Sequence, residues 1–178
     1  MMEPSNQTSP RQSFSYFNTQ AYWGVKKHMG GVEATDELAA LCQIDKDKQI
    51  LEVGCGTGGT GCHLIKRYGC QVTGVDISDK MIEWARKRAQ RKSIEPQVQF
   101  RTVDAQELPF EDNLFDAVMC ESVTVFPKDN QRAVNDYIRV TKAGGYIGMN
   151  EGTWIKPSVP PELIDYIYRT MAGANFFL

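Results

Sequence analysis

A doubly wound α/β fold with a mostly parallel sheet is the architecture this sequence predicts. Three observations carry that prediction. Short apolar runs bounded by turn residues alternate with segments of helical periodicity from Gln49 onward. The first run, Leu51-Glu52-Val53, enters Gly54-Cys55-Gly56-Thr57-Gly58-Gly59, with four glycines among six residues, and then a helix. The composition, 178 residues with 42% hydrophobic and 24% charged, is that of one ordinary globular domain. Helices between short apolar strands require right-handed crossovers and a sheet covered on both faces.

The elements follow in order. Val32 to Cys42 has helical periodicity, with Leu38, Leu41 and Cys42 on one face and Thr35 as a candidate N-cap. Ile50 to Val53 is the first strand, and Gly58 to Tyr68 a helix closed by Gly69. Gln71 to Val75 is the second strand, after which Ser78 caps a helix that turns Met81, Ile82, Ala85 and Ala89 inward. Val98 to Val103 and Phe115 to Cys120 are the third and fourth strands. Asp129 opens a helix with Val134, Tyr137, Ile138 and Thr141 at helical spacing; Gly144-Gly145 then turns the chain into a fifth strand, Tyr146 to Met149. A last helix is expected from Glu162 to Met171, after Pro157 to Pro161.

Residues 1–32 read as an N-terminal arm, disordered at first and then rich in aromatics (Tyr16, Tyr22 and Trp23 among them), a candidate lid. Residues 33–151 form the core, and 152–178 a C-terminal segment. The finish on Phe176-Phe177-Leu178 predicts truncation, or an edge covered by a partner or a second copy. The net charge of −2 argues against a dedicated nucleic-acid binder, and no stretch reaches the ~18 apolar residues of a membrane span. Met1 to Ser15 carries no apolar segment of the secretory kind, so a soluble cytoplasmic protein is the default expectation. Five cysteines, an odd number with no C-x-x-C pair, predict reduced thiols and no structural metal.

The glycine loop fits a nucleotide-type cofactor, because glycine lets a ligand approach where a Cβ would collide. Its spacing suits G-x-G-x-x-G and G-x-G-x-G equally. Charge separates the two. A pyrophosphate wants N–H donors without a nearby anion, yet Glu52 stands two residues before Gly54, and from Leu51 to Leu64 the only candidate cation is His63. A carboxylate there suits a cationic ligand, such as the ammonium and sulfonium of S-adenosylmethionine (SAM). Asp76 closes the second strand 24 positions after Glu52, where an acid can accept both hydroxyls of a ribose. Nicotinamide enzymes use the same device.

With these residues the chain resembles the class I SAM-dependent methyltransferases, whose first motif reads acidic-x-G-x-G-x-G. Val103-Asp104-Ala105-Gln106-Glu107-Leu108-Pro109-Phe110 and Val140-Thr141-Lys142-Ala143-Gly144-Gly145-Tyr146 resemble later segments of small-molecule members. The resemblance implies a Rossmann-like core lacking the usual last two strands, and SAM as cofactor. Glu52, Gly54, Cys55, Gly56 and Gly58 would hold its methionine part, Asp76 the ribose, and Asp104 and Ala105 the adenine, with Ile77 and Met81 lining the ring (Met81 equally a core residue at helical spacing) and Cys120, at the end of the fourth strand, beside the cofactor.

Cys120-Glu121-Ser122-Val123, with Pro127 beyond, looks like the C-methyltransferases of quinone, tocopherol and sterol-type substrates. Glu121 is the candidate for orienting a small-molecule substrate or acting as base, against the alternative that it only caps the following loop. His28-Met29-Gly30-Gly31, with Thr35 beyond, looks like the entry segment of some members, which makes His28 a second candidate facing the methionyl carboxylate or the substrate. The basic run Arg86 to Lys92 reads as a solvated helix end. The rival functions are a SAM- or SAH-binding module without catalysis and, further off, a nicotinamide-dependent oxidoreductase.

Overall fold

The computed structural model describes Gln20, Trp23, residues 28–155 and residues 158–170. Among the described residues, five α-helices and five strands with both ends defined follow in chain order: α1 (Gly31–Leu41), β1 (Gln49–Val53), α2 (Gly59–Tyr68), β2 (Gln71–Asp76), α3 (Asp79–Lys92), β3 (Val98–Thr102), β4 (Phe115–Glu121), α4 (Asn130–Val140), β5 (Thr141–Asn150) and α5 (Pro161–Thr170). The strands form one parallel sheet in the order β3-β2-β1-β4-β5. Chain order reverses between β1 and β4, so the crevice at a topological switch point opens at their carboxyl ends.

The central strand explains its own sequence. Ile50, Leu51 and Val53 are all buried, because a strand covered on both faces has no use for polar alternation. Ile50, Val72, Phe100 and Met119 pack with Ala39, Leu64, Ile82 and Ala85, from α1, α2 and α3, on one face. Leu51, Val53, Val75 and Val118 pack with Ala133, Tyr137 and Val140 of α4 on the other. The sheet is doubly wound, as the alternation predicts. Ser78 caps α3 by accepting from the Met81 amide at 3.4 Å, and Asp129 caps α4 by accepting from Arg132 at 2.9 Å.

Several boundaries and faces differ from the sequence reading. Thr35 is no N-cap: α1 begins at Gly31 behind a left-handed Gly30, and Thr35 lies within the helix, 1% exposed. Leu41 is 67% exposed, because α1 turns Thr35, Ala39 and Cys42 to the sheet instead. That helix approaches β5 so closely that a Cβ on Gly148 would stand 2.6 Å from the Cys42 sulfur. Ile138 is 58% exposed, since the buried stripe of α4 is Ala133, Tyr137 and Val140. Thr141 leaves the helix and starts β5, and Gly144-Gly145 lies inside that strand as an irregularity. Phe115 pairs with Thr141 but Ala117 with Tyr146, so the extra residues bulge where Gly144 takes a φ of 78°. β3 stops at Thr102, one residue short. Tyr16, Tyr22 and the last eight residues of the chain, on which the aromatic lid and the apolar finish were read, lie outside the described residues.

Candidate active site

The carboxyl ends of β1, β2 and β4 and the loops after them enclose a cleft of about 550 Å³. Its floor is the glycine loop. Gly54, Gly56 and Gly58 all have positive φ, 69°, 50° and 70°. Their side-chain spaces differ. A Cβ on Gly54 would meet Val123 Cγ2 at 2.1 Å, whereas one on Gly56 meets nothing within 4 Å and would fill the cradle of the cleft itself. Gly58 does not line the cleft; it is the N-cap of α2, packed against Phe100 and Ala85. Arg88, from the basic run, braces the loop by donating to the Thr57 carbonyl at 2.8 Å, and Arg86 donates to Phe100 at 2.8 Å. Two cations of that run are therefore structural.

Glu52 is 6% exposed and lines the cleft beside the first turn of α2, where the helix dipole favours an anion. Gly61 makes room for it, since a Cβ there would stand 2.7 Å from Glu52 Oε2. Asp76 accepts from the Gly56 amide at 2.9 Å with one oxygen and from the Ser78 amide at 2.9 Å with the other. Burial raises its pKa above the ordinary carboxylate value, against the lowering effect of those two amides. Met81 is buried against the cleft and Ile77 stands 71% exposed at its edge. Asp104 and Ala105, in the loop after β3, line the cleft as well. The Asp104 carboxylate accepts from the Gln106 amide at 2.9 Å and its side chain at 3.1 Å, while Gln106 Oε1 accepts from the Asp129 amide at 2.9 Å. Gln106, which the sequence reading did not select, thus ties the loop after β3 to the start of α4.

The second wall is built from distant segments. Glu121, at the end of β4, has a side chain only 7% exposed and carries His28 Nδ1 at 3.6 Å from Oε1. The Thr35 hydroxyl lies 3.1 and 3.0 Å from its two oxygens, and Thr60 donates to Oε2 at 3.4 Å. Neither threonine was singled out as a partner of Glu121. A hydroxyl at that position in a helix gives no local signal of a carboxylate 86 residues away. Glu121 does not cap the loop that follows it. Glu151 does, accepting from the Val123 amide at 3.0 Å and the Thr124 amide at 2.7 Å.

Cys120 stands corrected as a lining residue. Alternation along β4 turns its side chain away from the cleft, into the core with Thr124, Tyr137 and Glu151, and it is fully buried. Burial, with Glu151 nearby, pushes its thiol far up. Cys55 does line the cleft, and burial raises its thiol as well, so neither is poised as a thiolate. His63 does not line the cleft; it pairs with Asp36 at 2.7 Å. Trp23 is 71% exposed, and Gln20 reaches the cleft instead.

Charge defines what such a cleft can hold. Glu52, Asp76, Asp104 and Glu121 line it, while Lys128 is the one lysine or arginine among the described lining residues. This is a nucleotide-type cofactor cleft in a doubly wound α/β protein, lined by four acids and one lysine among its described residues.

The chain belongs to the methyltransferase domain family, whose model matches residues 50–145. It is 34% identical over 163 residues to norajmaline N-methyltransferase of Rauvolfia serpentina, covering 80% of this chain and 54% of that enzyme. Its structure is similar to the [4+2]-cyclase SpnF, with a TM-score of 0.72 and 28% identity over 81% of this chain and 50% of that one. It shares its fold with geranyl diphosphate C-methyltransferase from Streptomyces coelicolor bound to S-adenosyl-L-homocysteine (SAH), with a TM-score of 0.72 and 22% identity over 80% of this chain and 54% of that one. The chain spans about half the length of the curated relatives it matches. No described helix is long and apolar enough to cross a membrane.

Proposed function

We propose that this chain binds SAM and supports methyl transfer to a small-molecule acceptor that is neutral or cationic. The single observation that carries the reading is the acid-lined cleft over an open glycine cradle, where Gly56 leaves space that a Cβ would fill. The relatives add the reaction class, and SpnF shows that the fold also serves other chemistry, so the site has to carry the argument.

Bound SAM supplies an activated methyl whose C–S electron pair departs with sulfur, so no residue is needed on the leaving-group side. Glu52 and the loop amides around Gly54 and Gly56 would hold the amino-acid part. Asp76, already oriented by two backbone donors, would accept from the ribose hydroxyls. Asp104 and Ala105 would meet the adenine, and Met81 and Ile77 would cover its faces. On the other wall, Glu121 is kept in place by hydroxyls, leaving it free to orient an acceptor or receive the proton that a nucleophile sheds. His28 stands over Glu121 as the second acceptor-side group. Holding the acceptor in line and dry is the protein's main contribution.

A carboxylate-lined wall with one lysine at its rim disfavours phosphorylated or carboxylated acceptors, which would meet like charge. The rival reading is a SAM- or SAH-binding module without catalysis, which the methyltransferase relatives do not favour. Calorimetric titration with SAM, SAH and NADH tests the cofactor. Binding of SAM and SAH without NADH is expected; NADH binding alone overturns the reading. Transfer of labelled methyl from SAM to neutral and amine acceptors then separates enzyme from module.

A further inference from the structure

The Met29 peptide, next to His28, is held on both sides by the far wall of the cleft. Its N–H donates to the Ser122 hydroxyl at 3.2 Å, and its carbonyl accepts from the Asn150 side-chain amide at 2.8 Å. The two holding residues are themselves joined, the Ser122 amide donating to the Asn150 carbonyl at 2.8 Å. Ser122 sits directly after Glu121 and adopts a φ of 59°, a left-handed conformation uncommon for a residue with a Cβ. Asn150 is the last residue of β5, paired with Glu121 across the sheet. Immediately downstream, Gly30 and Gly31 have φ of 80° and 63°. Two consecutive left-handed glycines form a pivot that fixes nothing by itself, so the direction of the chain at His28 depends on what grips Met29.

We propose that Ser122 and Asn150 are positioning residues for His28: together they clamp the Met29 peptide so that the imidazole is seated on Glu121. This deepens the function proposed above and rests on its placement of Glu121 on the acceptor side. The strained φ of Ser122 has a reason on this account, because it directs the hydroxyl to the incoming segment while the backbone amide bonds β5. The clamp also makes acceptor-side geometry a property of three segments at once: the arm, the end of β4 and the end of β5. Loosening either bond lets His28 leave Glu121 without touching any group that would hold the cofactor.

The chain's two histidines make a direct test possible. His28 faces Glu121 at 3.6 Å, whereas His63 is paired with Asp36 at 2.7 Å and serves as an internal reference. Protein carrying ¹³C-labelled histidine is observed by NMR, without cofactor or acceptor, as wild type, Asn150→Asp, Ser122→Ala and Glu121→Gln. Asn150→Asp removes the donor to Met29 at constant size; Ser122→Ala removes only the hydroxyl. The expected result is that each clamp variant moves the His28 ring resonances, leaves those of His63 in place, and abolishes the response of His28 to an added Glu121→Gln. A variant that also displaces His63 has lost its fold, and the other variant then decides. An unmoved His28 in a folded clamp variant, still responding to Glu121→Gln, overturns the proposal. Because no SAM is present, failure here is distinct from failure of the cofactor reading, which titration measures separately.

Discussion

The two walls of the cleft are built on different plans. On the wall assigned above to the cofactor, acids are oriented by amides of the strand-end loops: Asp76 by Ser78 and by Gly56, 20 residues away, and Asp104 by Gln106. On the wall proposed for the acceptor, contacts join residues 86, 93 and 121 positions apart: Glu121 with Thr35, Ser122 with Met29, Asn150 with Met29. The first plan fixes a ligand with loops at strand ends, which carry their own turn geometry. The second depends on α1 and the segment before it arriving correctly against β4 and β5. A family can therefore keep one cofactor wall while the other is rebuilt for a new acceptor, which fits similarity to both an N-methyltransferase and a cyclase.

The largest effect on the cofactor wall is expected where the two plans meet. Gly54 combines a φ of 69° with a Cβ position 2.1 Å from Val123. Gly54→Ala should cost about 2–5 kcal/mol, the sum of about 1–2 for the left-handed conformation and about 1–3 for overpacking. It should also abolish SAM binding. Adding Val123→Ala removes both γ-carbons but leaves a Cβ 2.9 Å away, so it should recover only part of the packing loss, read as a partial return of the denaturation midpoint. Gly56→Ala, with a φ of 50° but open space, should lose only the conformational part in stability and still block the cradle. Equal destabilisation by both variants would mean that the walls do not touch through Val123.

Asp76→Ala comes next. It should weaken SAM by about 1–3 kcal/mol through lost charge-assisted bonds, measured by calorimetry. The sign of its pH dependence follows from burial. Because the folded pKa lies above the unfolded value near 3.8, ionised Asp76 costs stability, so its contribution falls as pH rises through the window between the two. Ribose hydroxyls favour the ionised form. SAM affinity should therefore rise with pH through the raised midpoint and level off above it, and the variant should lack that rise.

The contrast between walls also explains what the sequence could reveal. The five strands, the switch-point crevice, Glu52, Asp76 and Asp104 were legible because each is announced by neighbours: a glycine loop, a strand end, a turn. Glu121 was legible as a position but not as a geometry. Its partners Thr35 and Thr60 sit in helices where either is an ordinary residue, and Thr35 was read as a cap because capping is its commonest local role. Cys120 was misplaced for a related reason. Adjacent residues on a strand point to opposite faces, so the neighbour of a cleft residue belongs to the core. Glu151 lies beyond the fifth strand, and only the fold brings it under the loop after β4.

Glu121→Gln should have the smallest effect on the cofactor and so measures how separable the walls are. The amide keeps an oxygen to accept from Thr35 and Thr60 and keeps the side chain's volume, so α1 should stay docked and the thermal midpoint should hold. Removing the charge beside His28 should alter the acceptor wall alone, because this carboxylate is held by Thr35, Thr60 and His28, whereas Asp76 and Asp104 are held by the amides of Gly56, Ser78 and Gln106. SAM and SAH affinities should match wild type. Methyl transfer to an acceptor that must shed a proton should fall by about 10²–10⁴-fold, the usual share of a positioned base. An acceptor that arrives already deprotonated should be spared most of that loss. Loss of SAM affinity would instead make Glu121 part of the cofactor wall, and the division argued from the hydrogen bonds would fall with it.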